Sequence, residues 1–208
     1  MELELIYFNF PFWRAEVPRL TLHLGGVPFR DTRVSGKEFG SMRADGKLPF
    51  RQVPILRVDG RVLTQAATIA RFCGRLTDMY PNDPWHAAKV DELFDAIGEL
   101  NYKLSPSMRE KDPEKKMAMR AKFAEKNIPM VLAHIEREIA ENGSGYCVGE
   151  RLSVADLLVW RVCGWLSSGL LDGIPTDILQ PYEYLRAHQH RIGSDPRIVA
   201  WMTQYTKS

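Results

Sequence analysis

Three short stretches of the sequence place reactive or ligand-binding groups where they could do chemistry. Tyr7 ends an alternating run and stands before an irregular turn, Asn9-Phe10-Pro11-Phe12-Trp13. A tyrosine at such a strand end is more often a packed rim residue. Its alternative use is a hydroxyl that points into a cleft and donates a hydrogen bond to an anion. Gln52-Val53-Pro54 precedes an apolar run. Proline at the first residue of a strand is ordinary, whereas a cis bond there would expose the Val53 backbone for strand-like pairing with a peptide ligand. Thr64-Gln65-Ala66 opens a helical pattern, whose free amides and positive end form a ready carboxylate site. Other catalytic templates are missing: the sequence has no serine nucleophile elbow, phosphate loop, HExxH or CxxC. His188 and His190 lack a third ligand nearby, so the five histidines read as surface residues and no metal site is expected.

The elements that must position these groups fall into two halves. In the first eighty residues Leu3, Leu5 and Tyr7 alternate with Glu2, Glu4 and Ile6, the period of a strand. Val17, Leu20 and Leu24 recur at helical spacing and are closed by Gly25-Gly26. Pro18 fits only a first helical turn, so the regular part of this helix is expected to begin just before it. Val27 to Val34 reads as a second strand. Asp59-Gly60 stands between the apolar runs that begin at Pro54 and end at Leu63, the strongest short hairpin signal, because both residues accept the positive φ of a type I′ turn. A helix from Gln65 carries Ile69, Ala70, Cys73 and Leu76 on one face. The order β-α-β, then β-β-α, predicts a mixed sheet with helices packed on it.

Tyr80-Pro81-Asn82-Asp83-Pro84 is a linker by composition, and strand signals stop after it. His86 to Met108, Pro113 to Asn142, Ser153 to Ser168 and a shorter stretch from Pro196 to Tyr205 carry helical spacing. The expected organisation is α/β plus all-α: residues 1–80, a linker at 81–84, and a helical domain over 85–208. The charged run Arg109 to Lys126 reads as a solvated helix face. Leu152-Ser153-Val154-Ala155-Asp156-Leu157 carries a capping box with a hydrophobic staple, a device for starting a buried helix rather than a site. Composition narrows the function further. The 208 residues are 45% apolar, with 28 Lys and Arg against 26 Asp and Glu, which allows a real core and gives no basic stripe for nucleic acid. No apolar run approaches the roughly 18–20 residues of a membrane span. The acidic start Met1-Glu2-Leu3-Glu4 argues against a secretory signal, and Cys73, Cys147 and Cys163 cannot build a disulfide framework, so a reduced cytoplasmic setting is expected.

Taken together and in order, these motifs resemble cytosolic glutathione transferases. The resemblance rests on Tyr7 at the end of the first strand, Arg14-Ala15-Glu16, Pro49-Phe50-Arg51-Gln52-Val53-Pro54, Val58-Asp59-Gly60, Gln65-Ala66-Ala67-Thr68-Ile69-Ala70-Arg71-Phe72, and the capping box within Gly149 to Asp156. It covers essentially the whole chain, and the sigma class, with its helminth and prostaglandin-isomerising members, matches best. It implies an N-terminal thioredoxin-like domain, an all-helical C-terminal domain lining the electrophile pocket, a homodimer, and glutathione as cosubstrate with no other cofactor. Tyr7 would then be the catalytic hydroxyl, assisted by Arg14. Gln52 and Val53, with a cis bond to Pro54, would hold the cysteinyl backbone of glutathione; Gln65 and Ala66 would receive its γ-glutamyl carboxylate. Phe39 would contact the glycine end, Arg43 or Lys47 would neutralise the glycine carboxylate, and Glu99 would reach the γ-glutamyl ammonium of the neighbouring subunit. Phe10, Phe12, Trp13, Tyr102 and Leu158 would form the electrophile pocket; for Tyr102 and Leu158, plain packing is an equal alternative.

The activity so implied is conjugation of glutathione to small hydrophobic electrophiles. A glutathione-dependent prostaglandin isomerase and a non-catalytic ligand-binding relative are the alternatives. Three departures from the family pattern bear on it. Ala66 stands where related sequences carry a serine. The turn Phe10-Pro11-Phe12-Trp13 replaces a shorter Arg-Gly turn, and the reactive cysteine of related thiol-disulfide enzymes, which would fall near Phe10, is absent. The segment Arg43 to Pro49 looks about two residues longer than the sigma pattern.

Overall fold

Alternation in the first residues produces β1 (Leu3–Phe8), which is buried at every position but the last. β1 pairs in parallel with β2 (Arg30–Val34) and antiparallel with β3 (Ile55–Val58), which pairs antiparallel with β4 (Arg61–Thr64), giving the order β2-β1-β3-β4. The computed structural model describes residues 1–203. Asp59 and Gly60 link β3 to β4 with φ of 48° and 79°, the positive pair that a type I′ turn demands.

Helix α1 (Trp13–Leu24) connects β1 to β2 and begins five residues before Pro18, which lies inside it. The expected start just ahead of Pro18 is therefore corrected. One lost amide is tolerated because Trp13, Ala15, Val17 and Leu20 bury the face on both sides of the proline. Helix α2 (Gly36–Ala44) follows β2 and has no counterpart among the elements expected from sequence. A capping box between Ser35 and Glu38 starts it, yet it buries no residue, so it has no apolar stripe to read. Helix α3 (Ala66–Leu76) buries Ile69, Ala70 and Cys73 on the predicted face.

Two apolar clusters hold this part together. Leu3, Leu5, Leu22, Leu56, Ile69 and Cys73 form one; Ile6, Tyr7, Ala15, Val34, Leu48, Val53 and Ile55 form the other.

The second half is helical: α4 (Pro84–Arg109), α5 (Pro113–Lys126), α6 (Ile128–Asn142), α7 (Val154–Leu166) and α8 (Glu183–Gly193). The stretch Pro113 to Asn142, read as one helical pattern, breaks at Asn127, where Pro129 occupies the first turn of α6 and supplies no amide to continue α5. The final described helix, α9 (Pro196–Thr203), packs on α1. The chain divides into one unit of Met1–Pro81 plus the segment from Pro196, and a second of Asn82–Asp195. In this division α9 goes with the first unit, where the Trp201 indole donates to Glu16 of α1. Residues 204 and 205 of the expected last helix lie outside the described residues.

Candidate glutathione site

Strand β1 delivers Tyr7 at its penultimate position, in register with Arg33 of β2. The ring is 4% exposed and meets Phe8 and Phe10 edge-on, with centroids 5.4 and 5.5 Å away. Burial pushes the phenol up from 10.0 to about 12, against the opposing pull of the Arg14 and Arg19 guanidinium groups. The hydroxyl therefore keeps its proton at every ordinary pH and is a donor, and no described residue engages it in a hydrogen bond.

The Val53–Pro54 bond is cis. Val53 packs its side chain in the cluster around Tyr7, while the ladder with β1 begins only at Ile55, so the Val53 main chain lies outside the sheet. Gln52 is exposed beside it.

At Gln65 the backbone takes φ 70° and ψ 121°, a conformation that costs a non-glycine residue about 1–3 kcal/mol and gathers at ligand-binding positions. Gln65 is the N-cap of α3 but offers no capping side chain, and the first turn carries no acid. The first amides of that turn, from Ala66 onward, thus meet neither a cap nor a negative charge, the arrangement that suits an incoming carboxylate.

Around Tyr7 the aromatic side chains form a continuous run. Phe39 meets Phe8 edge-on at 5.1 Å, Phe8 stacks on Phe10 at 5.8 Å, Phe10 tilts against Phe12 at 6.2 Å, and Phe12 against Trp13 at 5.8 Å. Arg14 lies over the rings of Phe12 and Trp13, and Arg43 over Phe39. Phe10 is 47% exposed, whereas Trp13 is buried with its indole N–H unpartnered. Lys47 is tied to Asp45 at 2.8 Å on an open depression of about 680 Å³ that Ser35, Lys37, Glu38 and Ser41 also line. Of the two candidate cations for a glycine carboxylate, Arg43 is the one in contact with Phe39.

Several predicted positions lie in the second unit. Glu99 is exposed on α4 at 3.9 Å from Lys103, and Tyr102 is 80% exposed on the same helix. Leu158 of α7 has no exposed surface. His188 is corrected from a surface residue to a buried one. Its Nε2 lies 3.0 Å from Asp156 Oδ1 and 3.5 Å from Cys147 Sγ. The Asp156 carboxylate also accepts from the amides of Cys147 and Ser153 and from the Ser153 hydroxyl. These three side chains could be drawn as metal ligands, since their ligand atoms lie within 4.8 Å of one another. Asp156, however, already holds a capping box and a loop amide, and the unpartnered His188 Nδ1 lacks the outer support that a metal-bound imidazole takes.

What sequence reasoning missed near Tyr7 is Phe8, which links Phe39 to the turn, and the ionic pair Glu16 and Arg19. Opposite charges three apart on an otherwise apolar helix face were the available signal.

Comparison with known proteins bears on what these groups do. A family model described as "Glutathione S-transferase, C-terminal domain" matches residues 98–204. The chain is 30% identical over 215 residues to glutathione S-transferase 1 of Ascaris suum, covering 100% of this chain and 98% of that protein. It is 28% identical to the hematopoietic prostaglandin D synthase of Gallus gallus, covering 99% of this chain and 97% of the relative. Among solved structures, a prostaglandin synthase D of Nilaparvata lugens aligns with a TM-score of 0.85 at 25% identity over 98% of each chain.

Proposed function

This chain belongs to the glutathione S-transferase family, and we propose that it conjugates glutathione to small hydrophobic electrophiles with Tyr7 as the group that stabilises the thiolate. The observation that carries this reading is the Tyr7 hydroxyl: buried, protonated up to about pH 12, without a hydrogen-bond partner among the described residues, and set in one cluster with Val53. A free thiol titrates near 8.5, so only a few per cent is thiolate at neutral pH. A phenol that donates to sulfur favours the ionised form, and the Arg14 guanidinium adds positive potential. Lowering the thiol by about two units asks for roughly 2.7 kcal/mol, within reach of one charge-assisted hydrogen bond and a nearby cation.

Glutathione would be held along its length. The γ-glutamyl carboxylate would take the open amides of α3 at Gln65 and Ala66, and the cysteinyl backbone would pair with Val53 beside Gln52. The glycine end would meet Phe39, with Arg43 rather than the Asp45-bound Lys47 as its cation. The thiolate then attacks an electrophilic carbon, forming a thioether as the leaving group departs. The Phe10, Phe12 and Trp13 rings supply an apolar wall for the electrophile. Glutathione enters as a cosubstrate, with no resident cofactor. Isomerisation of a prostaglandin endoperoxide is the second reading, motivated by the Gallus gallus relative; sigma-class membership belongs with it.

Tyr7→Phe should lower kcat for a chlorodinitrobenzene-type substrate about 10- to 100-fold with the glutathione KM little changed; an unchanged kcat would remove Tyr7 from this role. No glutathione binding at millimolar concentration in calorimetry would favour a non-catalytic carrier. We also propose a cytoplasmic homodimer. No helix among the described residues is long and apolar enough to cross a membrane. Phe50 and Val62 are exposed apolar side chains that a second copy could cover. Phe50→Ser should slow sedimentation toward the monomer, and an unaltered dimer would exclude Phe50 from the interface.

A further inference from the structure

A relay of charges anchored on the buried Arg19 and Glu16 reaches the turn after Tyr7. Arg19 of α1 has no exposed surface. Its Nε donates to Asp31 Oδ1 at 2.9 Å, its Nη1 to Glu16 Oε2 at 3.3 Å, and its Nη2 reaches the Phe8 carbonyl at 3.5 Å. The other oxygen of Asp31 accepts from Arg33 Nε at 2.9 Å, and Arg33 Nη1 donates to Asn9 Oδ1 at 2.9 Å. The two residues that follow Tyr7 are therefore both fastened to one network. At its far end Trp201 of α9 donates its indole N–H to Glu16 Oε1, leaving Oε2 for Arg19.

Such a network is not an obvious stability device, because well-packed apolar residues often replace buried ion pairs without loss. Its geometry serves another purpose. Tyr7 shares an apolar cluster with Ala15, Val34, Leu48, Val53 and Ile55. Of the charged groups, Arg14 and Arg19 on α1 act on the phenol, Asp31 on β2 bonds Arg19, and Arg33 stands in register with Tyr7.

We propose that Arg19 is a positioning residue for the thiolate chemistry: it fixes the turn after Tyr7 and lends its buried positive charge to the site, while Asp31 sets how much of that charge is felt. This rests on the reading of Tyr7 as the thiolate-stabilising group. Arg19 is already one of the two cations that oppose the upward push of burial on the Tyr7 phenol. A developing sulfur anion at the same hydroxyl would feel the same field.

The test measures the pKa of the thiol of bound glutathione, by thiolate ultraviolet absorbance and by the pH profile of kcat/KM. It compares the wild-type protein with Asp31→Asn, Arg19→Met and Arg19→Lys. Asp31→Asn uncovers positive charge and should lower the thiol pKa by ~0.5 unit, a roughly threefold gain in thiolate on the acid limb. Arg19→Met should raise it by at least as much, and Arg19→Lys should restore it to within ~0.3 unit while leaving kcat reduced, because a single ammonium cannot grip both Asp31 and the Phe8 carbonyl. Shifts of opposite sign in Asp31→Asn and Arg19→Met support the inference, since damaged packing would move both the same way. A thiol pKa unmoved in Asp31→Asn, or raised in both, overturns it, and the Asp31→Asn and Arg19→Lys arms decide the matter even if Arg19→Met does not fold. A wild-type protein whose bound thiol titrates like the free one defeats instead the Tyr7 reading on which the inference stands.

Discussion

Ala66 shows how much rests on one side chain at the proposed carboxylate site. The α3 amides remain available there, but residue 66 adds no hydroxyl of its own. One hydrogen bond to a charged group is worth about 1–3 kcal/mol. Ala66→Ser should therefore tighten glutathione binding by about fivefold or more, read by calorimetry or as a lower KM, with kcat unchanged because the thiolate is untouched. A KM that does not move would place the γ-glutamyl carboxylate elsewhere. Tyr7 and Ala66 divide the work differently: one acts on the reacting atom, the other only on how firmly its carrier is held.

Helix α7 makes the corresponding argument for an element. Its start depends on Asp156, which is fully buried and accepts from the Ser153 amide and hydroxyl, the Cys147 amide and the His188 ring. Asp156→Ala would strand several buried donors at once and should cost at least about 3 kcal/mol in urea unfolding monitored by circular dichroism; a loss below 1 kcal/mol would mean that water enters to replace the carboxylate. Half of this knot could be read in the sequence, because Ser153 and Asp156 are three residues apart. Cys147 and His188 could not, since only the folded α8 brings His188 to the site. The same distinction runs through the molecule. Strand β1, the Asp59-Gly60 hairpin and the buried face of α3 announce themselves through local periodicity and turn chemistry. Helix α2 fully buries no residue, and the buried face of α8 has only Leu185 and Ile192 as apolar residues, either side of His188, so neither shows a plain apolar stripe. Pro18 misled because a proline inside α1 is tolerated only by virtue of the packing around it. Tyr7, Gln52, Val53, Pro54 and Gln65 were visible as an ordered set of motifs; Arg19, Asp31 and Phe8 join them only through tertiary contacts.

For the whole molecule, protons are held in the interior. Burial pushes Cys73 and Cys163 from 9.0 to about 12 and Tyr7 from 10.0 to about 12, and raises Cys147 well above its ordinary value. These folded-state values exceed the unfolded ones, so between them the folded chain keeps protons that the unfolded chain has lost. Stability from this source is intact below about pH 9 and declines as pH rises through about 12. Urea midpoints by tryptophan fluorescence should hold steady up to that lower limit and then fall, and a thiol reagent should find no fast-reacting cysteine in the native protein, as all three are buried. A midpoint that climbs with alkaline pH would contradict these proton affinities. The placement of α9 bears, finally, on how the chain is made. A ribosome finishes β1 to α3 early, then synthesises all of Asn82–Asp195, on the order of ten seconds of elongation, before Trp201 emerges. Until then Glu16 lacks its indole donor and α1 lacks the part of its packing that α9 supplies. The first unit is thus completed only after the second has been made, and nascent chains stalled before Pro196 are the stage at which a chaperone would find it open.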